Sequence, residues 1–222
     1  MIELLLKVVV TYLLGSLIGS LIVGRLRGGV DIRKLGSGNA GGTNALRTQG
    51  RSFAFWVLLI DIGKGVVATR VIAPVSFTSM GLGDAGAAPP MLREWLPVAC
   101  GFAAMIGHIW PVWHGFRGGK GVATLVGVLL GLDPLLLLAV VVTWLVVTML
   151  FGFISLASMV AAAAVPLFVI AIGMQPQTPL LAFGIAVAVV VAYTHRGNIA
   201  RMQAGTEPRA RRLWLLGRGR TR

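Results

Sequence analysis

Charge and cysteine are the scarcest features of this chain. Its 222 residues include only seven Asp and Glu, two tyrosines and a single cysteine, Cys100. Charged residues make up 12% of the sequence, about half the ~25% of a soluble domain, too few to cover a soluble surface. One cysteine excludes an intrachain disulfide and a cysteine zinc cluster. Lying in an apolar run, Cys100 reads as a small buried hydrophobe. No His/Cys/carboxylate cluster suggests a metal, no cofactor is expected, and no G-x-S-x-G elbow is present. What is abundant is apolar: 56% of residues are hydrophobic, with a mean hydropathy of +0.86. The bilayer is the natural solvent for one such domain, with membrane lipids as its surroundings.

Twenty Lys and Arg give a net charge of +13 and a pI near 11.7. In a soluble chain this would suggest nucleic acid. Here the basic residues lie between and after apolar runs, so no nucleic acid is expected. Positive-inside topology and anionic headgroups account for them better.

Apolar runs of membrane-spanning length need about 20 residues. The first runs from Leu4 to Val23. Glu3 precedes its first Lys7 and no A-x-A pattern comes after it, so it is expected to be a retained helix rather than a cleaved signal. The second, Phe53 to Val75, is interrupted by Asp61, Lys64 and Arg70, and the third is Trp95 to Trp113. Asp133-Pro134, Pro176 and Pro179 break the long apolar stretch from Val122 to Val191, and Gly152 halves its longest piece at a tight turn. Four spans result, at 122–132, 135–151, 153–173 and 179–194.

Charge parity supports that division. Arg25 to Arg51, Arg117 with Lys120, and the tail from Arg196 to Arg222 are the basic segments, all expected in the cytoplasm. An even number of crossings must then separate Lys120 from His195. The expectation is an all-α integral membrane protein of seven transmembrane helices, N-terminus outside and C-terminus cytoplasmic. Residues 1–195 form the membrane domain, with cytoplasmic loops 24–52 and 114–121, and residues 196–222 form a basic cytoplasmic tail whose Arg-rich end, Arg209 to Arg222, is read as a lipid-facing anchor.

The first loop contains Gly36-Ser37-Gly38-Asn39-Ala40-Gly41-Gly42-Thr43-Asn44-Ala45-Leu46-Arg47. Glycines such as Gly36, Gly38 and Gly41 let backbone N–H groups turn inward on an anion. Ser37, Asn39, Thr43 and Asn44 add hydrogen-bonding side chains, and Arg47 offers a fork matched to phosphate. The plainer alternative is a loop of Asx turns. The second loop, Gly115 to Thr124, resembles a Walker A motif but is one residue short, and Gly121 stands where Ser or Thr should bind magnesium. Gly118, Gly119 and Lys120 before a helix still suit an anion. Two such loops on one side suit two phosphorylated partners.

His195 and Asn198, three apart, can share a helix face at the end of the last span. A dipole-stabilised surface histidine is the alternative there, and interfacial packing is the alternative for His108 and His114. Asp61 and Lys64 read most simply as a buried intrahelical ion pair; a proton or ion pathway is the sharper reading.

GSGNAGGTNALR, GHIWPVWHGFRGGKGVAT and HRGNIARMQAGTEPR, with DIGKG and ISLAS between them, resemble the bacterial acyl-phosphate:glycerol-3-phosphate acyltransferase family, PlsY. The likeness spans about residues 15 to 208, in order. It implies a seven-helix inner-membrane enzyme with its active site on the cytoplasmic side. The implied reaction moves the acyl group of acyl phosphate to the 1-hydroxyl of glycerol 3-phosphate, giving lysophosphatidic acid and phosphate, the first acylation of phospholipid synthesis. A separate acyl-phosphate-forming enzyme would supply the donor. The absence of an H-x-x-x-x-D motif agrees with this. The motif positions fall on Ser37, Asn39, Thr43, Asn44, Arg47, Lys120, His195 and Asn198, with Ser155 from ISLAS. Ser37 with the first loop would hold the acyl-phosphate head, Arg47 and Lys120 the glycerol phosphate, and His195 and Asn198 the glycerol hydroxyl. The base is His195 or a substrate phosphate oxygen. Gly42, Arg117 and Gly197 depart from the family pattern, where alanine, lysine and glutamate are common. A small transporter is the rival reading, motivated by Asp61 and Lys64. It would want midplane polar groups on several spans.

Overall fold

The computed structural model describes residues 2–76 and 89–217. Asp84, between the second and third apolar runs, and Arg218, Arg220 and Arg222 of the tail lie outside the described residues. The chain is all-helical among the described residues and forms two compact units, Met1–Asp133 and Pro134–Arg222.

The first unit contains α1 (Ile2–Gly15), α2 (Gly19–Leu26), α3 (Gly42–Gln49), α4 (Arg51–Val66), α5 (Pro90–Ile109) and α6 (Val122–Leu132). The expected first span is not one helix: α1 and α2 meet at 44° across a short break. The second span runs as α4 and then loosens into π-helical geometry over Val67–Ile72. There the Thr69 hydroxyl donates back to the carbonyls of Gly65 and Val66. Without a hydrophobic drive between helices in lipid, close backbone approach does the packing. A Cβ at Gly107 of α5 would collide with the Tyr12 carbonyl of α1, so these helices meet backbone to backbone only with glycine.

The second unit contains α7 (Pro134–Phe151), α8 (Ile154–Ile172), α9 (Gln177–Thr194) and the short α10 (Arg196–Gln203). Asp133-Pro134 marks the start of α7 as its sequence requires, because proline suits the first turn of a helix. Gly152 turns the chain between α7 and α8 with φ +77°, as expected. Pro179 does not break the chain. It sits in the first turn of α9, where its missing N–H costs nothing.

Among the described residues, four helical segments are long and apolar enough to cross a membrane: Leu92–His114, Pro134–Phe151, Ile154–Ile172 and Gln177–Thr194. The bent α1–α2 pair makes a fifth. Large apolar side chains such as Leu138, Leu167, Ile185 and Val189 stand exposed on the outer faces, as lipid-facing residues do. The molecule is an all-helical, multi-pass integral membrane protein.

Candidate active site

In the first unit the Gly-rich loop is pinned from below. Ile32 and Ala45 are inserted into an apolar cluster with Val23, Phe53, Ala54 and Val57. Burying Ile32 and Phe53 contributes about 2 kcal/mol each. Above this cluster the Asn44 side chain organises the loop. Its Nδ2 donates to the carbonyls of Ile32, Leu35 and Asn39, each at 3.0 Å. Its Oδ1 accepts from the Ser37 N–H at 3.0 Å. Asn44 is therefore committed to the loop backbone, and it is buried. Asn39 Oδ1 accepts from the Gly41 N–H at 2.9 Å, the Asx turn expected of this sequence, at the N-terminus of α3. Gly36 and Gly38 lie in the left-handed region, φ +57° and +72°, which explains both glycines. On this locked frame Ser37, Thr43 and Arg47 are exposed.

The second loop is held differently. The Gly118 N–H donates to the Ile109 carbonyl (3.2 Å) and the Gly119 N–H to the His108 carbonyl (3.0 Å). These two amides thus satisfy the open C-terminal carbonyls of α5. The sequence-based expectation that both N–H groups turn toward an anion is corrected accordingly: the glycines permit close approach to α5. Lys120, the next residue, is half-buried.

Arg33 joins the two loops, a role its sequence context did not reveal beyond positive-inside charge. Its Nη1 donates to the carbonyls of His114 (3.2 Å) and Arg117 (3.1 Å). Its Nε and Nη2 engage Asp31, with Nη2 at 2.8 Å from Oδ2. The hydrogen bonds from Arg33 hold the Asp31 carboxyl below its ordinary range.

Beneath the loops lies a buried ionic cluster. Lys64 Nζ is 3.1 Å from Asp61 Oδ1, as the i, i+3 spacing predicted. It also donates to the carbonyls of Gly15 (2.8 Å) and Leu17 (2.9 Å) and meets His108 Nδ1 at 2.8 Å. Asp61 Oδ1 accepts from the Gly19 N–H at 3.1 Å. The charged pair thereby supplies donors and an acceptor to the backbone exposed where α1 breaks into α2, which lipid could not do. His108 is buried here, so the interfacial reading of this histidine does not hold. The ammonium is surrounded by fixed partners, which does not favour an ion pathway.

In the second unit the centre is Glu207, another residue that spacing alone did not single out. Gly205, at φ +71°, turns the chain after α10, and the N–H groups of Thr206 and Glu207 both donate to the Arg201 carbonyl. Glu207 Oε1 then accepts from Asn198 Nδ2 (2.6 Å) and Ser155 Oγ (2.8 Å), and Oε2 from Arg201 Nε (2.8 Å). The structure thus brings Ser155 and Asn198 together through one carboxylate. Burial pushes the Glu207 carboxyl up, but the bonds from Asn198, Ser155 and Arg201 outweigh it and hold its pKa below the ordinary value.

His195 is the hinge between α9 and α10. Its Nδ1 lies 2.8 Å from the Val191 carbonyl. A carbonyl only accepts, so Nδ1 carries the proton and Nε2 is the acceptor nitrogen. Its own carbonyl accepts from the Asn198 N–H at 2.8 Å. Beyond Glu207, Arg209 stacks on Trp214 (4.0 Å) and Phe153 (4.5 Å). The Ala210 N–H donates to the Gly152 carbonyl (2.7 Å). Arg209 therefore packs on the α7–α8 turn, which departs from the lipid-facing reading at the first residue of the Arg209–Arg222 segment.

A family profile described as Glycerol-3-phosphate acyltransferase matches residues 5–205. A glycerol-3-phosphate acyltransferase of Chlorobaculum tepidum is 40% identical, covering 91% of this chain and 94% of its own length. One of Gloeobacter violaceus is 42% identical, covering 90% and 91%. Among solved structures, the glycerol 3-phosphate form of the integral membrane glycerol 3-phosphate acyltransferase PlsY is similar, with TM-score 0.77 and 33% identity. It covers 93% of this chain and 94% of that one. The lysophosphatidic acid form of PlsY is similar with TM-score 0.75 and 32% identity, at the same coverage. Matched along nearly its whole length in both sequence and fold, this chain belongs to the PlsY family of glycerol-3-phosphate acyltransferases.

Proposed function

We propose that this chain uses an acyl phosphate as donor and acylates the 1-hydroxyl of glycerol 3-phosphate at the cytoplasmic face of a bacterial inner membrane. The hydroxyl oxygen bonds to the acyl carbon, the bond from that carbon to the phosphate oxygen breaks, and inorganic phosphate leaves with lysophosphatidic acid as product. The proton goes to His195 Nε2 or to a substrate phosphate oxygen. Because phosphate is a good leaving group, positioning and charge neutralisation supply much of the rate. The donor itself would come from a separate acyl-phosphate-forming enzyme, and no cofactor takes part.

One observation carries this reading. Ser37, Thr43 and Arg47 are exposed on a backbone locked by Asn44, and Arg33 fastens that backbone to the loop bearing Lys120. This preorganised frame carrying two cations suits phosphate groups. Ser37 and the loop around Gly36, Gly38, Asn39 and Gly41 hold the acyl-phosphate head, with Asn44 acting by positioning. Arg47 and Lys120, with Gly118 and Gly119 setting the loop, hold the glycerol phosphate. His195 and Asn198 orient the hydroxyl, with Ser155 acting through Glu207.

The reading places seven crossings in the membrane: α1 with α2, α4 with its π-helical extension, and α5 to α9, N-terminus outside. At 1.5 Å per residue the eleven residues of α6 reach only about 16 Å, about half the ~30 Å hydrocarbon core, which makes it the shortest of the seven.

The test is release of inorganic phosphate from palmitoyl phosphate by the purified protein in detergent or lipid mesophase. Release that needs glycerol 3-phosphate and yields lysophosphatidic acid is expected; turnover only with acyl-CoA would refute the donor. Lys120→Ala is expected to raise the KM for glycerol 3-phosphate, and an unchanged KM would refute the assignment of Lys120.

A further inference from the structure

The buried Asp61–Lys64–His108 cluster is not itself exposed to substrate, yet it reaches the second loop. The His108 carbonyl receives the Gly119 N–H at 3.0 Å. The imidazole lies against the same glycine, where a Cβ would collide with Nε2. Gly119 directly precedes Lys120. On its other side His108 Nδ1 is 2.8 Å from Lys64 Nζ. The same Nδ1 lies 3.4 Å from Asp61 Oδ1, so it faces both members of the ion pair; toward the ammonium, which only donates, it serves as acceptor. Lys64 is fixed in turn by Asp61 Oδ1 (3.1 Å) and by the carbonyls of Gly15 (2.8 Å) and Leu17 (2.9 Å). All three side chains are buried. Isolated charges at this depth are costly, and the arrangement persists because each is paired and hydrogen-bonded.

A helix break alone would need only Lys64 and Asp61. His108 extends the set from the broken first span, through α4 and α5, to the floor of the second loop. We propose that Asp61, Lys64 and His108 form a positioning network that sets the height and orientation of the Gly118–Lys120 segment for binding the phosphate of glycerol 3-phosphate. This rests on the reading that Lys120 binds that phosphate. None of the three is a catalytic residue; they act through the loop.

The experiment uses the full-length enzyme and determines separate KM values for glycerol 3-phosphate and palmitoyl phosphate. His108→Leu keeps an apolar filler but removes the acceptor for Lys64. It is expected to raise the KM for glycerol 3-phosphate about tenfold, with that for palmitoyl phosphate within about twofold. His108→Asn returns an acceptor oxygen near the Nδ1 position and is expected to stay within about threefold of the parent. Combined with Lys120→Ala, His108→Leu is expected to add nothing to the KM for glycerol 3-phosphate, because the two act in series. Equal shifts in both KM values, a fall in kcat alone, or full additivity with Lys120→Ala would overturn the proposal.

If His108→Leu does not fold, His108→Asn and His108→Gln decide. A glycerol 3-phosphate KM near the parent's for Asn and raised for Gln supports the network; equal values overturn it. If Lys120→Ala itself leaves that KM unchanged, the Lys120 assignment fails. His108→Leu then decides alone, a selective rise supporting loop positioning and no rise overturning it.

Discussion

Each unit organises one polar loop around one side chain, but the two side chains differ in kind. Asn44 is a neutral amide whose partners are all backbone groups. Glu207 is a carboxylate whose partners are all side chains, Ser155, Asn198 and Arg201. The amide fixes the path of a loop without adding charge beside the exposed Arg47, where a carboxylate would compete with a phosphate. The carboxylate can gather an arginine and two neutral donors because charge-assisted bonds are about twice as strong as neutral ones. The difference makes the second unit pH-sensitive and leaves the first indifferent to pH at this point.

The sharpest way to break the comparison is to remove each organiser. Glu207→Ala strips the acceptor from three donors at once. It is expected to cost about 3 kcal/mol of stability and to lower activity at least about a hundredfold, measured by thermal unfolding in detergent and by phosphate release. Asn44→Ala leaves the carbonyls of Ile32, Leu35 and Asn39 without this donor. Near the loop surface the expected loss is smaller, about 2 kcal/mol, with kcat/KM falling about tenfold. An Asn44→Ala defect larger than that of Glu207→Ala would reverse the ranking.

Acid sharpens the same contrast. The folded pKa of Glu207 is depressed, so its stabilising contribution is fully present above the ordinary glutamate value of 4.5 and is lost as pH falls through the lower folded value. Melting temperature is therefore expected to drop below pH 4.5 in the parent, and Glu207→Gln should flatten part of that acid limb. Asn44→Ala should leave the limb's shape unchanged. An identical acid limb in the parent and Glu207→Gln would remove Glu207 from the explanation.

The smallest effect concerns the segment beyond Glu207. Trp214 donates to the Leu150 carbonyl at 3.1 Å and stacks beneath Arg209. Trp214→Ala is expected to lower stability by about 1 kcal/mol and to leave turnover per folded molecule within about twofold. A dead but folded variant would show that this segment does more than brace the α7–α8 turn.

Much of this architecture was readable from residue order. Four helices, α6 to α9, begin and end within two residues of the runs bounded by Asp133-Pro134, Gly152 and Pro176, because proline and glycine act through local backbone geometry. The ion pair of Asp61 and Lys64 came from helical spacing alone. The bend between α1 and α2 was hidden because Lys64, which satisfies the carbonyls freed at the break, lies far along the chain and the apolar run itself is unbroken. Glu207 and Arg33 were hidden for the same reason: each looks like an ordinary loop charge until its partners arrive.

Composition and motif order by themselves determined that this chain lives in a membrane, belongs with the acyltransferases it resembles and carries Gly-rich loops beside basic residues. Those are properties of local sequence, set by hydropathy, backbone freedom and charge. Tertiary structure alone decided which polar groups stay exposed on the loops and which are consumed in holding them. Asn44, Gly118 and Gly119 looked like ligand groups but spend these bonds on neighbouring backbone, while His108 proved to be a buried member of an ionic set. A hydrogen bond has a short reach and needs direction, so its partner is chosen by three-dimensional placement rather than by residue type.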